Sequence, residues 1–211
     1  MTLFDLLFPP RCPYCGELTG RICESCEKCS DILAVEPHFS ELKNGVRCIS
    51  ALEYDGVCSK AVLNYKYHGC RQYGKCFALT MERVIKDRLS DTSIDVYTSV
   101  PTLFDFTGAR FDHVKEFTKR TARLAGAEYR PLLKQTRKKK TQHELKAEER
   151  LKNVEGLYSV TDPALVKGKN ILLFDDIVTS GATLCACADE LLGSGAAAVA
   201  CATLEWTPLY S

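Results

Sequence analysis

Apolar residues in this chain form two kinds of pattern, short continuous runs and stretches with helical spacing. One run, residues 171–174, has the length of a buried parallel strand and is far too short to span a membrane. The stretch at 182–192 carries leucines and alanines at helical spacing and ends at Gly193. Two carboxylates and a Thr-Ser-Gly turn lie between them. This order predicts a strand, a turn and a helix, with the turn at the edge where open α/β sheets bind ligands.

The same two patterns recur along the rest of the chain. Strand patterns cover residues 46–54, 94–101, 156–160 and 195–204, and helical patterns cover 3–8, 57–65, 73–88 and 111–124. Strands that alternate with helices predict an α/β fold with a doubly wound parallel sheet and right-handed crossovers. We place one domain boundary near residue 40, which gives a small unit at 1–40 and an α/β domain at 41–211.

Four cysteines near the start of the chain form two C-x-x-C pairs. They are Cys12, Cys15, Cys23 and Cys26. Each pair directs two thiolates at one point, so the four predict a closed tetrahedral zinc site with a structural role in a small ribbon. A redox pair is the other interpretation, but a redox site needs only one such pair. Cys29 follows three residues after the last of the four and is a spare or substitute ligand.

Composition narrows the class of protein further. The net charge is +1, which gives no general attraction to nucleic acid or to an anionic membrane. The first residues lack the basic flank and the cleavage site of a signal peptide, and we expect no membrane insertion. The twelve cysteines are not spread like the disulfide framework of a secreted protein. They predict a reducing compartment and a cytoplasmic location.

The Thr-Ser-Gly turn has the chemistry of a phosphate cradle. Thr179, Ser180 and Thr183 offer hydroxyls, and Gly181 allows the backbone to turn sharply. The amides that open the helix from Ala182 lack partners within the helix and carry partial positive charge. An ordinary helix cap is the other interpretation of this turn.

Asp175 and Asp176 would repel a phosphate held by this turn, so we expect them to contact another part of the ligand. An ionised carboxylate only accepts hydrogen bonds, and the vicinal hydroxyls of a sugar can donate them. A phosphate within short reach of a diol describes a ribose 5-phosphate. Carboxylates near the diol also suit Mg²⁺.

The segment 174–183, Phe-Asp-Asp-Ile-Val-Thr-Ser-Gly-Ala-Thr, resembles the 5-phosphoribosyl diphosphate (PRPP) binding loop of type I phosphoribosyltransferases. Together with the two cysteine pairs, it makes the chain similar to the ComF family, the competence-associated proteins of bacteria. Blocks at 63–69, 99–101 and 142–158 are also similar to that family, so the resemblance covers nearly the whole chain. One block departs from it: the family has Arg-Gly-Phe-Asn-Gln where residues 109–113 are Ala-Arg-Phe-Asp-His, and Arg110 takes the place of the missing arginine.

The resemblance implies a protein that binds PRPP with Mg²⁺. It assigns the catalytic role to Asp175 and Asp176, whose charge would favour an oxocarbenium-like transition state. The implied PRPP-binding residues are Thr179, Ser180, Gly181, Ala182, Thr183, Lys66, Val100, Pro101 and Arg110. The family is associated with DNA uptake and single-stranded DNA, so competence proteins and single-stranded DNA are further implied partners.

Several alternatives remain open at the level of sequence. From composition alone, Lys66 is equally a solvated surface lysine. The basic run 137–140 is a solvated segment, a nucleic-acid contact or a loop that closes over a diphosphate. The protein is either an enzyme that transfers the phosphoribosyl group to an acceptor that the sequence does not identify, or a non-catalytic PRPP-sensing module that handles single-stranded DNA. A fold retained without a ligand is the third alternative.

Overall fold

Six strands form the main sheet in the part of the chain that the computed structural model describes, which is residues 11–18, 29, 32, 34–101, 111–136, 154 and 156–208. The strands are β1 (His38–Glu41), β2 (Arg47–Glu53), β3 (Val96–Ser99), β4 (Glu128–Tyr129), β7 (Asn170–Val178) and β8 (Ala198–Trp206). Their order is β1-β2-β8-β7-β3-β4. All neighbours are parallel except β1 and β2, which form an antiparallel hairpin.

A second, antiparallel sheet consists of β5 (Leu133–Gln135) and β6 (Tyr158–Val160). Four helices are described: α1 (Gly56–Tyr67), α2 (Tyr73–Arg88), α3 (His113–Ala125) and α4 (Ala182–Gly193). A short 3₁₀ turn covers Pro163–Leu165. None of these helices has the length and apolar character that would let it cross a membrane.

Helices cover both faces of the main sheet, which confirms the predicted doubly wound α/β architecture. Leu172 and Phe174 of β7 face one hydrophobic cluster, to which α1, α2 and α3 contribute their apolar sides. Ile171 and Leu173 face a second cluster, which contains the apolar side of α4 and residues of β5 and β6. The continuous apolar run in β7 is therefore the signature of a central strand that is buried on both faces.

The predicted elements differ from the observed ones mainly at their ends. The helical pattern at 73–88 matches α2 at both ends, and the predicted start of α4 at Ala182 is correct. The apolar run at 171–174 underestimates the central strand, because β7 continues through both carboxylates to Val178. It continues because β8 pairs with it as far as Val178 and Trp206. The predicted helix at 3–8 lies outside the described residues.

Asp112 explains where α3 begins. Its side chain accepts a hydrogen bond from the amide of Lys115 at 3.0 Å, which is the usual role of an N-cap aspartate. Gly126, in the left-handed conformation, ends the helix. Tyr65 of α1 fixes the position of the N-terminal end of α3, because its hydroxyl donates to the carbonyl of His113 at 3.2 Å.

Tyr65 also requires a glycine in α2. A Cβ atom at Gly74 would lie 2.6 Å from the hydroxyl oxygen of Tyr65, and Tyr65 is only 2% exposed and has little room to move. We expect Gly74→Ala to destabilise the protein by about 1–3 kcal/mol, because overpacking at this contact outweighs the gain in helix propensity. Chemical denaturation measures the change.

The matched control is Gly193→Ala, at a helical glycine where an added Cβ meets nothing within 4 Å. This variant should be as stable as the wild type or slightly more stable. Equal stability of the two alanine variants would contradict the proposed clash with Tyr65.

Candidate ligand-binding site

Asp175 and Asp176 point to opposite faces of the sheet because both lie inside β7. Side chains alternate along a strand, so neighbouring residues cannot share a face. Asp175 lies on the α4 side, where it lines a cavity. Asp176 lies on the side of α1 and α3, where it contacts Lys66 and His113. The two acids are adjacent in sequence but have separate surroundings.

The cavity next to Asp175 is open to solvent and lies at the N-terminus of α4. The structure brings the five predicted cradle residues together here: Thr179, Ser180, Gly181, Ala182 and Thr183 all line it. Within the described residues no side chain caps this helix, and its first turn contains no acid. The amides of the first turn are therefore available for an anion in the cavity.

Gly181 gives the turn its shape. It is the N-cap of α4 and has φ 71°, a left-handed conformation that costs other residues about 1–2 kcal/mol. A Cβ atom here would lie 2.9 Å from Cδ2 of Leu42. Leu42 follows β1 at the hairpin turn, and Asn44 in the same turn donates to Asp189 of α4 at 2.8 Å. The hairpin turn thus packs against the cradle from outside.

Tyr158 of β6 supports the other side of the cradle. Burial raises the pKa of Tyr158 well above its usual value, and a hydrogen bond with the Thr183 side chain acts in the opposite direction. Asp175 is close enough for its charge to raise the pKa of Tyr158 as well. The second sheet therefore contributes to the site by holding Thr183 at the cavity wall.

On the other face of the sheet, one oxygen of Asp176 binds two nitrogen atoms. Its Oδ2 lies 2.5 Å from Nζ of Lys66, at the end of α1, and 2.5 Å from Nε2 of His113, at the start of α3. Asp176 is 7% exposed. Burial alone would raise the pKa of Asp176, but the hydrogen bond from His113 and the charge of Lys66 outweigh it and hold that pKa at about 2. The carboxylate is therefore ionised at neutral pH.

The ion pair also stabilises the charged form of Lys66. Burial acts to lower the pKa of Lys66, but the Asp176 carboxylate more than compensates, so that the pKa is raised. The sequence predicts that Lys66 contacts PRPP or solvent, whereas in the structure it forms an ion pair with Asp176. Among the described residues the ion pair and the hydrogen bond of Asp176 both use Oδ2, which leaves Oδ1 to accept a hydrogen bond from a ligand.

Val100 and Pro101 follow β3 at the same edge of the sheet. The amide of Val100 donates to the carbonyl of Phe174 at 2.8 Å, which places these two residues beside Asp175. Arg110 and the basic run 137–140 lie outside the described residues. The predicted roles of Val100, Pro101 and Arg110 towards PRPP therefore stay predictions.

A cluster of three cysteines lies near the start of the chain. The sulfur atoms of Cys12, Cys15 and Cys29 all lie within 4.8 Å of one another, and those of Cys12 and Cys29 are 3.4 Å apart. Burial raises the pKa of Cys15 to about 11 and that of Cys29 further, so a cation is needed to make them thiolates at neutral pH. Three converging sulfur atoms are suited to a metal such as zinc.

The cluster changes the predicted ligand set in one respect. Cys29 is one of the three cysteines of the cluster, although the sequence predicts it only as a spare or substitute ligand beside the two C-x-x-C pairs. Cys12 and Cys15 are members as predicted. Cys23 and Cys26 lie outside the described residues, so their part in a zinc site stays a prediction.

The sequence did not single out His113 or Glu205 as parts of the site. The Asp-His pair at 112–113, where the ComF family has an amide pair, is the sequence signal for His113. Glu205 follows an apolar run in the sequence, as Asp175 does, and this is the available signal for Glu205. In the structure Glu205 is buried in β8 beside Ile177, the residue that follows Asp176.

Comparison with known proteins agrees with this geometry. Residues 115–205 match the model of the phosphoribosyl transferase domain family. The chain has a phosphoribosyltransferase-like domain. The matched segment includes most of α3, β7, the cradle, α4 and most of β8, and therefore the cavity and both acids, but not Lys66 or His113. A search of curated protein sequences gave no match.

Two solved structures are similar to part of the chain. One is described as the allosteric regulatory enzyme of purine biosynthesis, with 20% identity over 61% of this chain and 25% of that chain and a TM-score of 0.41. The other is glutamine PRPP amidotransferase from B. subtilis complexed with ADP and GMP, with 21% identity over 61% and 26% of the two chains and a TM-score of 0.42. The similarity thus spans about a quarter of the length of each of these structures.

The ion pair of Asp176 predicts a pH-dependent contribution to stability. Its pKa in the folded state is lowered from 3.8 to about 2, so the carboxylate stabilises the fold above pH 4 by about 2 kcal/mol. This contribution is lost as the pH falls from about 4 to about 2. We expect Asp176→Asn to lower the free energy of unfolding by about that amount at pH 7, with a smaller difference near pH 2.

Urea denaturation at pH 7, 4 and 2.5 measures this difference. Asp87→Asn on the exposed side of α2 is the control and should leave the stability near that of the wild type at every pH. A destabilisation by Asp176→Asn that does not change with pH would contradict the role of the ion pair.

The cysteine cluster predicts a dependence of metal content on Cys29. We expect the wild-type protein to bind zinc, and Cys29→Ser to release it at lower chelator concentrations, because one converging sulfur is lost. Zinc release to a chromophoric chelator is the measurement. Cys70→Ser, at a partly exposed cysteine outside the cluster, should behave as the wild type does. Identical release curves for all three proteins would exclude Cys29 as a ligand.

Proposed function

We propose that this protein binds PRPP or another ligand that contains ribose 5-phosphate, at the cavity next to Asp175. The observation that carries the proposal is the combination of an uncapped helix N-terminus and a carboxylate on one cavity wall, together with the family match. The 5-phosphate would accept hydrogen bonds from amides at 181–184 and from the hydroxyls of Thr179 and Ser180. An ionised carboxylate repels a phosphate, so Asp175 would contact the hydroxyls of the sugar instead.

The ribose hydroxyls would donate to Asp175 in the cavity, and Oδ1 of Asp176, on the other face of β7, would accept from a hydroxyl that reaches past the end of the strand. The ion pair with Lys66 and the hydrogen bond from His113 orient the Asp176 carboxylate through its other oxygen. A preoriented acceptor binds a hydroxyl at a lower entropic cost than a mobile one. In this proposal Lys66 positions Asp176 and is not the main contact of the diphosphate.

Phosphoribosyl transfer is the reaction that such a site supports. The bond between C1 of the ribose and the diphosphate oxygen would break, the electron pair would leave with the diphosphate, and an acceptor nucleophile would form the new bond to C1. Negative charge on Asp175 and Asp176 would favour the positive charge that develops on the ribose ring. Mg²⁺ would bind the diphosphate of the ligand, and the Asp175 carboxylate suits such an ion.

A non-catalytic role is the second candidate function. The observation in its favour is the ion pair of Asp176, which neutralises one of the two charges that catalysis would use. In this alternative the protein senses PRPP and handles single-stranded DNA in the bacterial cytoplasm, with competence proteins as partners. The resemblance to the ComF family and the basic run 137–140 support the DNA part of this alternative.

Calorimetry with PRPP and Mg²⁺ tests the binding site. We expect the double variant Asp175→Ala, Asp176→Ala to bind at least about tenfold more weakly than the wild type, because hydrogen bonds to charged groups contribute about 1.5–3 kcal/mol each. Asp175→Asn alone should account for much of the loss, since Asp175 lines the cavity directly. Glu190→Gln in α4, outside the cavity, is the control.

An unchanged affinity in the double variant would rule out the assignment of the ribose hydroxyls to these acids. Release of pyrophosphate from PRPP in the presence of candidate acceptors separates the two functions, because the sensing module should bind PRPP without turnover. For that module, the affinity for single-stranded DNA should also fall steeply as the salt concentration rises.

A further inference from the structure

Glu205 is a buried carboxyl group that the proposed binding site does not explain. It lies in β8 and pairs in register with Ile177 of β7 and Leu52 of β2. Its residue exposure is 0%, and neither carboxyl oxygen has a hydrogen-bond partner among the described residues. An ionised carboxylate without a partner is very unfavourable in an apolar interior. Glu205 therefore has a strong physical reason to hold a proton.

The groups around Glu205 connect it to the ligand site. Four groups interact with it electrostatically: Cys58 and Lys66 of α1, Asp176 of β7, and Tyr14 of the N-terminal cysteine segment, which contains Cys12, Cys15 and Cys29. Cys76 of α2 lies close to Tyr14. Lys66 is the one cation in this described set, and it is already paired with Asp176 at 2.5 Å. Burial, and then the charge of Asp176, raise the pKa of Glu205 to about 8, although Lys66 acts to lower it.

One lysine, paired with Asp176, is thus also within electrostatic reach of the Glu205 carboxyl group. When Glu205 is neutral, Lys66 remains with Asp176 and the carboxylate of Asp176 keeps its orientation. When Glu205 loses its proton, a second negative charge appears next to Asp176 and competes for Lys66. The net charge of the cluster then becomes more negative by one unit.

We propose that Glu205 is a positioning residue for the ligand site, which must keep its proton for an anionic sugar phosphate to bind well. The inference rests on the proposed function and adds to it a proton that is bound together with the ligand. Neutral Glu205 leaves the ion pair of Lys66 and Asp176 intact. Ionised Glu205 repels the anionic ligand and draws Lys66 away from Asp176.

Linkage fixes the sign of the effect. If ionisation of Glu205 weakens ligand binding, then the bound ligand must raise the affinity of Glu205 for its proton by the same factor. Ligand binding near pH 8 should therefore take up a fraction of a proton. The affinity should fall as the pH rises from 7 to 9, by roughly twofold to fivefold if the ligand shifts the pKa by half a unit to one unit.

Calorimetry with ribose 5-phosphate tests this proposal. The second ionisation of a phosphate monoester has a pKa of about 6, so the charge of the ligand is nearly constant above pH 7. Titrations at pH 7, 8 and 9 in two buffers with different ionisation enthalpies give both the affinity and the number of protons taken up. The proteins are the wild type, Glu205→Gln, which keeps the shape of the neutral side chain, and Glu53→Gln.

Glu53 is the matched control because it ends β2 at the same edge of the sheet but is exposed to solvent. We expect the wild type and Glu53→Gln to lose affinity with rising pH and to take up protons at pH 8. Glu205→Gln should bind at pH 7 as the wild type does, but with a flat pH profile and without the proton uptake that the other two proteins show. A purely structural role of Glu205 would change the affinity at every pH alike.

The outcomes separate this inference from the proposed function. Failure of the wild type to bind ribose 5-phosphate at any pH would refute the proposed function, and this inference with it. Binding with the same pH profile and proton uptake in all three proteins would refute the role of Glu205 alone. If Glu205→Gln does not fold, the wild type still decides the question, because binding without proton uptake at pH 8 contradicts the proposal.

Discussion

Backbone pairing of β7 as far as Val178 is the constraint on which the site depends. Because β8 pairs with this strand beyond Phe174, the chain stays extended through both acids. An extended chain sends neighbouring side chains to opposite faces, so Asp175 and Asp176 separate. Asp175 therefore lines the cavity, and Asp176 contacts Lys66 of α1 and His113 of α3. A turn that began directly after Phe174 would not separate them in this way.

The charges on the α1 side of the sheet form one connected set. Lys66 and His113 come from two different helices and meet at the same oxygen atom of Asp176. Tyr65, the residue before Lys66, binds the backbone of His113, so the two donors are held in register by neighbouring contacts. Glu205 lies beside this set without a cation of its own. The geometry of the acid therefore depends on packing between α1, α2 and α3.

The sequence was sufficient for the architecture and for the cradle. The apolar run before Asp175 predicts a strand, and the pattern after Gly181 predicts a helix. The turn between them brings residues 179–183 together without distant contacts. The partners of Asp176 could not be found in this way. Lys66 lies 110 positions before Asp176 and His113 lies 63 before it, so only the packing of α1 and α3 on the sheet brings them together. The extension of β7 was missed for the same reason, because it depends on pairing with β8.

The cysteine segment also depends on distant contacts. Tyr14, between Cys12 and Cys15, is buried in the same hydrophobic cluster as α1 and α2, and its ring lies 6.4 Å from that of Phe77. Cys12 and Cys29 belong to that cluster too. A shortened protein that began at residue 41 would leave an apolar depression open to water where these side chains had been. Such a depression promotes self-association, so deletion of the cysteine segment would compromise the solubility of the remaining domain.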